Sequence, residues 1–255
     1  MLLASIGAIT DPWFYAVAVP AVLLVGLSKS GFASGMGSLA TPMLALVVSV
    51  PQAAAIMLPL LLAMDATGLQ QLWRQRDRTL VRRLLPWGLA GTLVGTILFK
   101  LVPGPMVAGV VGALTLVFLA QRLLLPPSSQ TPAPRPMVGR VCATLSGFTS
   151  FVAHAGGPPL AAYVLPLKLA PLAYSGTLAV FFAAINLSKC VPYAALGLID
   201  LRNMSTALVL MPVAPLGVWV GVRLARHVSP RWFYRLAYSG MFCTGVKLLW
   251  DGLGR

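Results

Sequence analysis

The chain has 255 residues, 58% hydrophobic and 9% charged, where an ordinary soluble domain carries roughly 25% charged residues. Nineteen Lys and Arg against five acids give a net charge of +14. These cations fall between long apolar runs, the pattern that orients a membrane protein, so a water-soluble globule and a nucleic-acid binder are both set aside.

All five acids are Asp, and the three cysteines, Cys142, Cys190 and Cys243, lie far apart among apolar neighbours. Neither a disulfide framework nor a metal-ligand spacing is present, and they read as small core residues. Residues Met1 to Thr10 lack the positive leader of a secretory signal, so the chain is expected to insert whole.

A helix needs about 20 apolar residues to cross the hydrocarbon core. In chain order, residues 13–50 are apolar but broken in the middle by small and helix-breaking residues, and spans follow near 53–73, 84–102 and 106–125. Pro126 to Pro136, PPSSQTPAPRP, has five prolines and no apolar periodicity, and reads as an extended loop. A second broken region, 138–169, precedes spans near 172–196, 204–224 and 232–250. The expected class is an all-α polytopic membrane protein with 8 to 10 hydrophobic segments, divided into a first repeat 1–125, a linker 126–136 and a second repeat 137–255.

The two halves echo each other. Gly31-Phe-Ala-Ser…Pro42-Met-Leu returns as Gly147-Phe-Thr-Ser…Pro158-Pro-Leu, and Pro86-x4-Gly91-x3-Gly95 returns at identical spacing as Pro212-x4-Gly217-x3-Gly221. Two matches in the same order indicate an internal duplication. The densest basic loop, Arg74 to Arg83, the linker with Arg122, Arg135 and Arg140, and the group Arg223, Arg226, Arg231 and Arg235 all belong in the cytoplasm by the positive-inside rule. That demands an even number of crossings between residues 140 and 223, so the second broken region must enter and return. Each half then has an odd number of crossings, the copies are inverted, and both termini face the periplasm, the plan of many secondary transporters.

Few residues can carry chemistry. In the first break, Gly31, Gly35 and Gly37 loosen the helix, Ser34 and Ser38 add hydroxyls, and Thr41-Pro42 resembles an N-cap and first-turn pair opening a half-helix. In the second, Thr149, Ser150, His154, Gly156 and Gly157 precede Pro158 in the corresponding place. A half-helix amino terminus in each copy would offer N–H groups to an anion. Close helix packing is the competing reading of the breaks, as it is the reading adopted for Gly91-x3-Gly95 and Gly217-x3-Gly221. His154 stands inside an apolar run, suited to bind an oxyanion or to change protonation during transport, with a structural histidine as the bland alternative. His227 lies among arginines in a loop and has no such role.

Lys29 lies at the first break, and Lys189 follows Asn186 by three residues on one helix face. Either amine can offset an anion's charge in low dielectric, or snorkel to a headgroup. Asp65, the one acid inside a long apolar run, can pair with a lysine or take up a coupling proton, unless it sits at an interface near Trp73. Ser150 and His154, at i and i+4, also have the spacing of a nucleophile and base, but no orienting acid or oxyanion motif accompanies them, and an enzyme is not expected.

These segments, above all Gly147-Phe-Thr-Ser-Phe-Val-Ala-His154-Ala-Gly-Gly-Pro-Pro-Leu-Ala with Pro171 and Asn186-x2-Lys189 following, resemble the sulfite exporter TauE/SafE family along essentially the whole chain. The first copy, Gly35-Met-Gly-Ser-Leu-Ala-Thr-Pro42, lacks the fuller run of glycines associated with that family. The resemblance implies a bacterial inner-membrane carrier for sulfite, thiosulfate or a small organosulfonate such as sulfoacetate. With no phosphate-binding loop in the chain, the energy would come from ion gradients or the membrane potential. The expected partners are a small anion and the lipid bilayer, with a homodimer allowed and no nucleic acid; no cofactor or metal is expected. A membrane scaffold that moves nothing, or an anion channel, is the alternative.

Overall fold

A computed structural model describes residues 7–30, 37, 40–44, 47–99, 101, 103–124 and 135–254. Every regular element among the described residues is helical. In chain order these are α1 (Pro12–Lys29), α2 (Ala40–Leu44), α3 (Val50–Leu72), α4 (Arg78–Leu98), α5 (Gly104–Leu124), α6 (Pro136–Ala153), α7 (Gly157–Val164), α8 (Pro171–Ala195), α9 (Leu201–Leu210), α10 (Val213–His227) and α11 (Pro230–Gly252). Among them, three helices are long and apolar enough to cross a membrane alone, and four if the bent pair α9/α10 forms one span. The linker, apart from Arg135 and Pro136, lies outside the described residues.

Helix starts follow local chemistry. Asp77 accepts from the Leu80 amide at 2.9 Å and Asp200 from the Asn203 amide at 2.8 Å, each satisfying an orphan donor of the first turn. Asp77 thereby starts α4 at Arg78, earlier than the expected 84, and draws Arg82 and Arg83 into the helix. The expected single span 204–224 is instead α9 and α10, bent by 43°. Pro212 stands at the break, where it removes an amide donor and its ring crowds the preceding turn. His227 closes the last turn of α10 and is not in a loop. Cys142 and Cys190 are half-buried, but Cys243 is exposed and not a core residue, on a helix that packs chiefly through its glycines.

Those glycines set the packing. Gly217 meets Leu23 and Gly26, and Gly221 meets Leu27 and Ser30, so α10 lies parallel to α1 with backbones in contact. Reciprocally, Gly88 and Gly91 of α4 meet Gly147 and Thr144 of α6, and Gly95 meets Phe148 and Phe151, again parallel. The duplicated Gly-x3-Gly segments thus make the same use of small residues, each against the broken helix of the other half. Two further pairs run antiparallel: α3 with α8, through Asp65 to Asn186, Gly68 to Ala179 and Leu72 to Gly176, and α5 with α11, through Gly109 to Gly252 and Leu116 to Gly245.

Helices α6 and α7 form a hairpin. Gly139 packs under the Tyr163 ring, and Ser146 Oγ donates to the Gly156 carbonyl at 2.7 Å. Chain that enters along α6 therefore returns along α7 to the end where it began. Leu80, Leu165, Tyr174 and Ala225 share one buried cluster at that end. Arg74, Arg76, Arg78, Arg82, Arg83, Arg135, Arg140, Lys168, Arg223, Arg226, Arg231 and Arg235 gather on this end with Asp77. Four of these arginines stack on tryptophans there: Arg76 on Trp73, Arg223 on Trp219, Arg235 on Trp232 and Arg140 on Trp87, at 3.6, 4.0, 5.2 and 5.4 Å. The opposite end holds Asp11, Asp200 and Asp251, with Arg202 beside Asp200 and Lys247 ion-paired with Asp251.

Candidate functional site

Between the two broken helices lies a cavity of about 80 Å³, room for several waters or one small anion. Val25, Met57, Leu61, Leu178, Ala179 and Phe182 form its apolar walls, and Ser28, Lys29, Gly37, Thr41, Asp65, Ser150, His154, Gly156, Gly157 and Asn186 also line it. Both halves of the chain contribute.

The polar groups form one connected chain. Lys29, at the end of α1, is ion-paired with Asp65 in the middle of α3. The other Asp65 oxygen accepts from Asn186 Nδ2 at 2.7 Å. Asn186 Oδ1 accepts from Lys189 Nζ at 3.0 Å, and Lys189 donates on to the Ser150 carbonyl and Ser150 Oγ at 2.7 and 2.8 Å. Lys189 is fully buried, and Asp65, Asn186 and Ser150 are nearly so. One helical turn separates Asn186 from Lys189, which is why a single carboxamide can join an acid on one helix to a cation on its own.

His154 caps α6 in the left-handed conformation, with φ of 50°. The αL conformation costs a residue with a Cβ about 1–2 kcal/mol. It turns the imidazole back across the cavity, so that Nε2 lies 3.3 Å from the Ala54 carbonyl of α3 and Nδ1 lies 3.4 Å from Lys189 Nζ. Tyr193 supports the ring edge-on, with its hydroxyl 3.4 Å from Nε2 while it donates to the Phe151 carbonyl at 2.9 Å. A neutral imidazole protonated on Nε2 satisfies both principal contacts, since the atom facing an ammonium must accept.

The structure brings together Lys29, Gly37, Thr41, Asp65, Ser150, His154, Gly156, Gly157, Asn186 and Lys189 at or directly behind the cavity wall. Thr149 is the exception: its hydroxyl contacts the Leu145, Ser146 and Ala155 carbonyls and braces the hairpin turn. Ser34, Gly35 and Ser38 lie outside the described residues. In the first half, Thr41 does not serve as an N-cap, because α2 begins at Ala40 and Thr41 lies within its first turn. In the second, Gly157 and Pro158 open α7 as expected. Of the readings open for Asp65, the structure shows the pairing with a lysine, Lys29, with the carboxylate buried. Ser150 Oγ accepts from Lys189 while the His154 ring faces Ala54, Tyr193 and Lys189, so these two side chains do not form a nucleophile and base pair.

Sequence reasoning missed the apolar walls and Tyr193. Met57, Leu61, Leu178 and Phe182 look like any lipid-facing or core residues in an apolar run, and only their position beside Asp65 and Asn186 at helical spacing hinted at a shared face.

The described residues, helical throughout their regular elements, with apolar spans and one arginine-rich end, are those of a polytopic membrane protein. The family model for the sulfite exporter TauE/SafE matches residues 18–248, and the chain belongs to that family. No curated protein and no solved structure matches it.

Proposed function

We propose that this protein is a secondary transporter of a small sulfur-containing anion, such as sulfite, thiosulfate or a C2 or C3 organosulfonate, working by alternating access between two inverted repeats. The observation that carries the reading is the cavity, into which both halves place polar groups and where Lys189 is held only by neutral partners. Buried cations in a membrane protein face a bundle interior or a substrate path and seek a counter-charge. The start of α7 at Gly157 adds the positive end of a helix to the same wall.

Inversion is supported by the packing. Corresponding helices of the two halves, α3 with α8 and α5 with α11, run antiparallel, while each broken helix lies parallel to the Gly-x3-Gly helix of the other half. The division at the 126–136 linker agrees with this pairing. By the positive-inside rule the arginine-rich, tryptophan-ringed end is assigned to the cytoplasmic face of an inner membrane, with both termini on the periplasmic side. For a monovalent anion, export gains about 2.3 kcal/mol per 100 mV of inside-negative potential, so efflux needs no further coupling. Uptake would draw on a coupled proton, with His154 as the carrier, since both Asp65 oxygens are committed to Lys29 and Asn186.

Purified protein in detergent, screened by thermal shift against sulfite, thiosulfate, sulfate, taurine, sulfoacetate, acetate and chloride, tests the reading together with anion flux in proteoliposomes. Stabilisation by a sulfur anion and saturable flux are expected. A flat response with no flux would favour a scaffold, and conductance far above carrier turnover would make it a channel.

A further inference from the structure

Among the described residues three charged side chains stand at or behind the cavity wall: two lysines, Lys29, mostly covered, and Lys189, fully buried, and one acid, Asp65. Asp65 uses one oxygen for Lys29 and the other for Asn186, an acceptor-only arrangement that is that of a carboxylate. Lys189 lies within hydrogen-bond distance of the Ser150 carbonyl, Ser150 Oγ and Asn186 Oδ1, three neutral oxygens able to take one proton each of an ammonium. His154 faces that ammonium through Nδ1 and the Ala54 carbonyl through Nε2, so it adds no charge to the count. The site carries one unit of positive charge in excess.

From this we infer that Asp65 sets the valence of the transported anion, making the site selective for monoanions over dianions. The inference rests on the transport reading above and deepens it by naming the charge class of the substrate: within that reading it favours hydrogensulfite and singly charged sulfonates over the dianions thiosulfate and sulfoacetate. A monoanion brings the buried charge to zero. A dianion leaves one negative charge over with no further cation on the described wall to pair it, where uncompensated buried charge is strongly disfavoured. Asp65 thus acts as a resident counter-ion: it neutralises Lys29 permanently and leaves only the charge of Lys189 for the substrate. Asn186 is the element that keeps these two functions apart, since it holds Asp65 with one end of its amide and Lys189 with the other.

Methanesulfonate and sulfate are close in size and shape, and they hold charges of −1 and −2 throughout the neutral range. Binding of each to the detergent-purified full chain, measured calorimetrically at fixed ionic strength, gives the ratio of interest. The wild type is expected to prefer methanesulfonate at least ten-fold. Asp65→Asn, which raises the excess to two charges, is expected to shift the ratio at least ten-fold toward sulfate. Lys29→Gln combined with Asp65→Asn restores a single excess charge and is expected to return the ratio to that of the wild type. If Asp65→Asn alone does not fold, Lys189→Gln serves in its place: with no excess charge left, methanesulfonate affinity should fall at least ten-fold. A wild-type preference for sulfate, an unchanged ratio in Asp65→Asn, or undiminished methanesulfonate binding in Lys189→Gln would overturn the inference while leaving transport standing. If neither probe, nor sulfite or thiosulfate, binds the wild type, the transport reading itself falls and the inference with it.

Discussion

Asn186 Nδ2 donates to the Asp65 carboxylate at 2.7 Å while Oδ1 of the same amide accepts from Lys189 at 3.0 Å. One carboxamide therefore joins α3 of the first half to α8 of the second, and orders a cation and an anion that would otherwise collapse onto each other. Replacing it with leucine leaves Asp65 and Lys189 each short of a buried partner, a loss of roughly 1–3 kcal/mol per unsatisfied group. Asn186→Leu should unfold at lower temperature than the wild type and lose anion binding, whereas Asn186→Gln should retain part of both; circular dichroism melts with and without ligand read the two effects separately.

Lys29 and Asp65 make a buried ion pair across α1 and α3. Removing one partner strands the other, at a cost of about 3–5 kcal/mol, whereas removing both often costs far less. Lys29→Met is thus expected to be severely destabilised and Lys29→Met with Asp65→Leu to recover most of the loss. Equal destabilisation in the single and double variants would show that the pair is solvated and not a buried charge couple.

His154 adopts a left-handed conformation that glycine accepts without strain. Of two variants lacking the imidazole, His154→Gly should be more stable than His154→Ala by about 1 kcal/mol. Both should insert and fold, and both should lose transport, because the contacts to Ala54 and Lys189 go with the ring. Flux in either variant at the wild-type rate would remove His154 from the mechanism and leave it as a hairpin cap.

At the α4–α6 contact, a Cβ at Gly91 would run into the Thr144 carbonyl, which is backbone and has no rotamer to yield. Gly91→Ala should therefore lose about 1–3 kcal/mol through overpacking. At Gly197, where a Cβ would meet nothing but φ is +71°, alanine should cost only the αL penalty of about 1 kcal/mol. Thermal unfolding of the two variants in one detergent makes the comparison.

Topology is checked by reporters. An enzyme active only in the periplasm should work when fused after Arg255, and one active only in the cytoplasm should work when inserted in the 126–136 linker. The opposite pattern would reverse the orientation assigned from the basic end.

Much of this architecture was legible in the sequence, because membrane insertion reads one-dimensional quantities. Span length, the placement of arginines and the spacing of glycines and prolines act locally or along a single axis, so the helical membrane class, the break before Pro158, the Gly-x3-Gly packing and the arginine-rich end could be anticipated residue by residue. The pairing of Asn186 with Lys189 was visible for the same reason, since it needs only one helical turn. Other features depend on what arrives from elsewhere in the chain. Thr149 and Ser150 are adjacent hydroxyls of the same type, yet one braces a hairpin turn and the other receives Lys189; only the packing of α8 against α6 separates them. Asp65 could have met lipid headgroups or a proton, and the approach of α1 and α8 to α3 made it the partner of Lys29 and Asn186. Composition and periodicity determined that this is a membrane protein of apolar helices with one arginine-rich end and few polar residues inside its apolar runs. How those charges are distributed around one cavity, and hence the single excess positive charge it presents, was decided by tertiary structure, because electrostatic pairing in low dielectric depends on distances of a few ångströms between residues far apart in sequence.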